Sequence, residues 1–141
     1  RAFDAPARVH VKVDTGLNRY GAESAFAEAL ARRVAADPCL VFAGAFTHFA
    51  CADEADAGFT REQDAAFTAW LERLRTAGIA PEATHRANSA GTIGGWAADG
   101  IARCGIALYG VAPSSEAPLP DGVRPVLSLR SRVARVFPLR P

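Results

Sequence analysis

Val9, Val11 and Val13 alternate with His10, Lys12 and Asp14. Alternation with a period of two predicts a strand with one apolar and one polar face. On a surface strand the polar face would meet solvent. In a parallel barrel it would point inward at the C-terminal mouth, where such folds keep their active sites. Ser24 is a suitable N-cap for a helix running to about Ala36, with Phe26, Leu30 and Val34 as its apolar stripe. Asp37-Pro38 ends it, because proline disfavours helix in the residue before it. Leu40 to His48 (LVFAGAFTH) is nearly all apolar until Thr47 and His48. Such a run predicts a strand buried on both faces, as in parallel sheets.

Thr60-Arg61-Glu62-Gln63 has the form of a capping box. The helix it opens carries Phe67, Trp70, Leu71 and Leu74 on one face and stops at Gly78. A short strand is predicted from about Ala83 to Asn88, with Ser89 capping a short helix from Ala90. A further strand is expected over Ile101 to Leu108, interrupted by Gly105. Ala112 to Gly122 is a Pro/Ser-rich connection, and Val126, Leu127 and Leu129 through Val136 form a last strand-like stretch with interleaved arginines. The order is β-α-β-α-β-α-β, a linker, then one long strand, which predicts a parallel α/β architecture. Four β-α units are half of an eight-stranded barrel, and an open doubly wound sheet is the competing layout. The last stretch fits neither and is expected to begin a second, β-rich domain.

Composition narrows the function classes. The chain has 141 residues, half of them apolar and 22% charged, with a net charge of +1. No strong field points to nucleic acid or to an anionic membrane. No apolar run is long enough to span a bilayer, and the first residues show no signal-peptide pattern. Cys39, Cys51 and Cys104 are odd in number and widely spaced, which argues against a disulfide framework or a metal site and for a cytoplasmic protein. The basic residues include a single lysine, Lys12, so any amine chemistry within the chain must use it.

Polar clusters stand where the predicted strands end: Lys12 to Arg19, Thr47-His48-Phe49, His85 to Ser89, and Arg103 to Ile106. Singly each is weak. A strand-end histidine is more often structural, an arginine more often a solvated charge, and a serine more often a helix cap. Four in succession at strand ends are what barrel catalysis requires. Asp14 and the pair Asp53-Glu54 could be taken for hydrolase carboxylates, a weaker reading than the one below.

The clusters resemble the alanine racemase family. Val9 to Gly21 (VHVKVDTGLNRYG), Phe46 to Glu54 (FTHFACADE), His85 to Ala90 (HRANSA), Arg103 to Gly110 (RCGIALYG) and Pro125 to Val133 are similar to its segments, in the same order and over nearly the whole chain. The resemblance implies residues 1–122 as the C-terminal half of a (β/α)8 TIM-type barrel, and 123–141 as the start of a truncated C-terminal β domain. It implies pyridoxal 5′-phosphate as cofactor, alanine as substrate, a homodimer, and supply of D-alanine for bacterial peptidoglycan. Lys12 matches a lysine often carbamylated in the family, whose carbamate would hold Arg19. Arg19 would face the cofactor's phenolic oxygen and the substrate carboxylate, and His48 the pyridine ring. Asn88, Ser89 and the amides of Gly105 and Ile106 would surround the phosphate. Gly105 lacks a side chain and so suits close backbone approach. Arg103 would face the pyridine nitrogen. An always-charged guanidinium disfavours a proton there, which limits delocalisation and favours quick reprotonation of the α-carbon. Arg86 has no role implied, and Cys51 and Cys104 are expected to be packing residues.

The family's two bases, a cofactor-linked lysine and a tyrosine from the second domain, have no counterpart here. Lys12, Tyr20 and Tyr109 all match other motifs. The chain is therefore expected to be an internal piece, inactive and poorly soluble alone. Alternatives are a racemase of broader specificity, for example toward serine; a non-catalytic, single-barrel cofactor-binding protein; and a split chain that binds a companion. The stretch after Pro125 counts against the single barrel.

Overall fold

In a computed structural model, residues 5–97 and 100–138 are described. Three parallel strands, β1 (Ala7–Lys12), β2 (Leu40–Phe46) and β3 (Ala83–His85), lie side by side in chain order. Helix α1 (Ser24–Ala36) joins the first two and α2 (Gly58–Thr76) the next two. A five-residue α3 (Ser89–Ile93) and a 3-10 turn (Ile106–Tyr109) follow.

One face of the sheet packs on α1 and α2. Val11, Val13, Phe42 and Ala45 meet Ala27, Ala31 and Val34 of α1 and Phe67, Trp70 and Leu74 of α2 in one buried cluster. Phe42 and Ala45 are three apart, and in a regular strand they would face opposite ways. Both reach the core because the β1–β2 register slips between Val9 and His10: Val9 pairs with Phe42 but His10 with Gly44. Gly44 makes the slip possible. A Cβ there would lie 2.2 Å from His10 Nδ1. The opposite face carries His10, Phe46 and His85, whose rings lie against one another.

Several local expectations change. On α1 the buried residues are Ala27, Ala31 and Val34, whereas Phe26 is 66% exposed and Leu30 sits at the surface. Alanines let the helix approach the sheet closely, so the small residues take the inner face. The N-cap of α1 is Glu23; Ser24 is the first helical residue, and its Oγ accepts from Arg73 of α2. Helix α2 begins at Gly58, so Thr60 lies inside it, fully buried, and no capping box forms. Its C-terminus behaves as predicted: Gly78 takes φ +74, its N–H donates to Arg75 O, and Ile79 N–H donates to Leu74 O.

Strand β3 is shorter than expected and ends at His85. Ser89 does not cap α3. Asn88 does, its Oδ1 accepting from Gly91 N at 2.8 Å. The predicted strand over Ile101 to Leu108 is absent. A parallel bridge from Thr84 to Gly100 and a bond from Arg103 N to Ala87 O place the chain beside β3, but it then turns into the 3-10 turn. Among the described residues there are therefore three strands where the sequence pattern predicts four barrel strands. Residues 123–138 form no strand and are exposed; the expectation for 139–141 lies outside the described residues. A strand needs a partner edge, and among the described residues this stretch meets one only at a single bond, from Val126 N–H to Tyr109 O. Gly110 (φ +70) is required at that crossing, since a Cβ would lie 2.1 Å from Arg124 O.

Candidate active site

Each strand delivers polar groups at its C-terminal end. At the end of β1, Lys12 Nζ donates to the carbonyl of Arg19 at 2.8 Å. The loop between is pinched at its base by bonds from Asp14 N to Ala22 O and from Ala22 N to Lys12 O. Asp14 organises its interior, accepting on Oδ1 from the amides of Gly16 and Asn18. Burial alone would raise the Asp14 carboxyl. The amides of Gly16, Asn18, Arg19 and Leu17 outweigh it and hold the group below its ordinary value. Asn18 and Tyr20 take positive φ in this turn. The Lys12 amine is pushed down by burial and then by the nearby Arg19 and Arg103 charges, with Asp14 opposing.

At the end of β2, the buried Thr47 hydroxyl meets that of Thr15 at 2.7 Å. His48 follows, its pKa lowered by burial and then by the charges of Arg103, Arg19 and Lys12. At the end of β3, His85 is lowered to about 4 by burial, by Arg103 and by His10.

Arg103 joins these strand ends. Its guanidinium donates to His85 Nδ1 at 2.6 Å and to Thr47 O at 2.9 Å, with longer contacts to His48 Nδ1 and Arg86 O, and it lies over the Phe46 ring. A guanidinium has only donors, so Nδ1 of His85 must accept. The proton of the neutral ring is then on Nε2, directed at His10 Nδ1 2.9 Å away. A charged arginine thus sets the tautomer of His85, and His85 that of His10.

Beyond Arg103, the amides of Gly105 and Ala107 converge on Ser89 Oγ at 2.9 and 3.3 Å. A cavity of about 300 Å³ opens here, lined by His48, Asp53, Asn88, Ser89, Ala90, Arg103, Gly105, Ile106 and Pro113. Six predicted cofactor residues, His48, Asn88, Ser89, Arg103, Gly105 and Ile106, therefore share one cavity. Lys12 and Arg19 are not among its lining. They are linked to each other by the Arg19 carbonyl rather than by its guanidinium. Gly105 is not pressed by protein: a Cβ there would meet nothing within 4 Å, which leaves room over the amides. Amide donors, a hydroxyl, a guanidinium and a neutral imidazole make a donor set suited to a phosphorylated aromatic cofactor.

His10, Thr15 and Gln63 join this arrangement, although sequence reasoning assigns none of them a role of its own in the site. His10 carried a signal, since it shares the polar face of β1 with Lys12. Arg86 also acquires a place: its guanidinium pairs with Asp64 of α2 and lies over Phe67. Among the described residues no group of three or more His, Cys, Asp or Glu could hold a metal ion, and no helix is long and apolar enough to cross a membrane. Cys51 is pushed up by burial and by Glu54 and Asp53, away from thiolate chemistry.

Residues 1–113 match the family model described as alanine racemase, N-terminal domain. The chain is 42% identical over 140 residues to alanine racemase of Thermobifida fusca, covering 96% of this chain and 37% of that protein. It is 40% identical over 137 residues to alanine racemase of Desulfovibrio desulfuricans, covering 95% and 36%. Among solved structures, alanine racemase of Streptomyces coelicolor superposes with a TM-score of 0.78 at 37% identity, over 86% of this chain and 34% of that one. The Bacillus anthracis enzyme with bound L-Ala-P superposes at 0.72 and 33% identity, over 85% and 32%. The chain thus spans about a third of the length of these relatives.

Proposed function

The chain belongs to the alanine racemase family, and from that premise we propose that it forms the cofactor-binding half-barrel of an enzyme that interconverts L- and D-alanine with pyridoxal 5′-phosphate. The observation that carries this reading is the Arg103 hub: one guanidinium binds the ends of β2 and β3 and borders the same cavity as Ser89 and Gly105.

When bound, the cofactor supplies an electron-withdrawing ring that acidifies the alanine α-carbon. The chain's residues hold and tune it. Ser89 and the amides of Gly105 and Ile106 would hold the phosphate; Asn88 fixes the turn on which Ser89 sits, and Ser89 Oγ already gathers the Gly105 amide toward the cavity. Arg103 would face the pyridine nitrogen. Its charge is permanent and it can only donate, so it would oppose a proton on that nitrogen. His85 stays neutral behind it, with its Nε2 directed at His10 Nδ1. A neutral His48 would pack against the ring. Arg19, on the loop after β1, would meet the phenolic oxygen and the substrate carboxylate. The lowered pKa of Lys12 increases the uncharged amine fraction, the form that takes up carbon dioxide; the resulting carbamate would pair with Arg19.

The two proton-transferring bases lie outside this chain, because Lys12 is its single lysine and lies at the end of β1 beside Arg19. β1 and β3 end the sheet on either side, and a closed (β/α)8 barrel would pair both edges. Residues 123–141 then start the second domain, and a cytoplasmic homodimer completes the site and supplies D-alanine for peptidoglycan. Similarity extending over 140 residues, beyond the matched N-terminal domain, supports two domains over a single cofactor-binding barrel. The isolated chain should be insoluble or inactive; a soluble monomer that racemises alanine unaided refutes this. Initial rates on L-alanine and L-serine with the full-length protein test the substrate. Faster turnover of serine would move the assignment to a broader-specificity racemase.

A further inference from the structure

Gln63 is fully buried on α2, and its carboxamide serves neither a cap nor the helix. Its Oε1 accepts from Ala50 N at 2.8 Å. Its Nε2 donates to His48 O at 3.2 Å and to Thr15 Oγ1 at 3.3 Å. Thr15 accepts that proton, so its own hydroxyl is free to donate to Thr47 Oγ1 at 2.7 Å. One side chain therefore ties together the loop after β1, which carries Arg19, and the loop after β2, which carries His48. It anchors both to a helix held rigid by Phe67, Trp70 and Leu74.

The bond pattern demands an amide. Ala50 N–H can only donate, so an oxygen must face it; His48 O can only accept, so an N–H must face it. Glutamate has nearly the same shape, but it would set a carboxylate oxygen against the His48 carbonyl. A buried polar contact of the wrong sign costs more than the bond it replaces gave.

We propose that Gln63 is a positioning residue for the cofactor site. It does not line the cavity, and it would act by holding His48 and the Thr15–Arg19 loop in place around the bound cofactor. The inference rests on the cofactor reading above.

The test uses the full-length protein with Gln63→Glu, Gln63→Met and Thr15→Val, and Trp70→Phe as an equally buried control on the same helix. Two quantities are read: the dissociation constant of pyridoxal phosphate, from absorbance titration of the apoprotein, and the apoprotein Tm. Both Gln63 variants should weaken cofactor binding roughly tenfold or more, the scale on which losing an outer support displaces a ligand-contacting group. Thr15→Val should weaken it less, through the one link it removes. Trp70→Phe should lower Tm and leave affinity within about twofold, as expected of packing alone. Gln63 variants that bind cofactor as the wild type does overturn the proposal. If neither Gln63 variant folds, Thr15→Val decides it: an unchanged affinity overturns the proposal, and a reduced one supports it. A wild-type protein that binds no pyridoxal phosphate overturns the functional reading first, and this inference with it. Wild-type binding with unaffected variants overturns this inference alone.

Discussion

Gly44→Ala tests whether the register slip between β1 and β2 builds the site. The added Cβ would lie 2.2 Å from Nδ1, 2.3 Å from Cε1 and 2.8 Å from Cγ of His10. Carbon contacts below 3 Å are not tolerated, so the imidazole must retreat by about 1 Å. His10 is exposed, but moving its ring breaks two contacts: His85 Nε2 lies 2.9 Å from its Nδ1, and Phe46 packs edge-on to it. Overpacking of this kind costs about 1–3 kcal/mol. Loss of the His10–His85 bond adds about 1 kcal/mol. The expected destabilisation is about 2–4 kcal/mol, the two costs together. It would be measured as a lowered urea midpoint at unchanged slope in the full-length apoprotein. Gly95→Ala is a useful comparison. Its φ is +81 and a Cβ there meets nothing within 4 Å, so only about 1 kcal/mol of backbone strain is expected. A Gly44→Ala protein within about 0.5 kcal/mol of wild type, well under the overpacking range, would refute the reasoning.

Further predictions concern the same residues. His85 is neutral when folded, with a pKa near 4, while its unfolded value is the ordinary 6.5. Between those values the unfolded state binds the proton and the folded state refuses it. Stability is therefore lost as pH falls from about 6.5 to about 4, by at most about 3 kcal/mol from this group. His85→Gln should flatten the slope of stability against pH in that window; an identical slope in both proteins would contradict the assignment. Asn88→Ala removes the cap of α3 and should cost about 1 kcal/mol, with a weaker hold on pyridoxal phosphate in the absorbance titration. Unchanged stability and affinity would show that the cap is dispensable. Arg103→Lys keeps the charge but loses the fork that reaches His85 and Thr47 together. It should weaken cofactor binding roughly tenfold or more, and wild-type affinity would count against the hub.

Strong periodicity was legible along the chain. β1, β2, the two long helices and the Gly78 stop follow from alternation, apolar runs and a glycine in the left-handed region. Packing choices were less so. Hydrophobicity favours Phe26 and Leu30 as the inner face of α1, but close approach to the sheet favours Ala27 and Ala31. Local motifs are degenerate: Thr60 and Gln63 have capping-box spacing, yet the helix starts earlier and Gln63 serves two distant loops. The apolar stretch around Ile101–Leu108 lacks the ladder a strand needs and turns at Gly105 to bring its amides to Ser89. The stretch from Val126 to Val136 keeps a strand's composition without a partner edge. For the site, the four strand-end clusters located six residues of one cavity. The chain of bonds from Arg103 through His85 to His10 was not legible, since it depends on a one-residue register slip.

The central claim is that these residues form the cofactor pocket of an alanine racemase. It is tested most directly by incubating the full-length protein with pyridoxal phosphate and L-alanine in deuterated water. Proton NMR follows the α-hydrogen, and an enantiomer-specific assay follows D-alanine. The account predicts loss of the α-proton signal together with D-alanine rising toward equality with L-alanine. A protein that binds pyridoxal phosphate yet exchanges no α-proton and forms no D-alanine would contradict it.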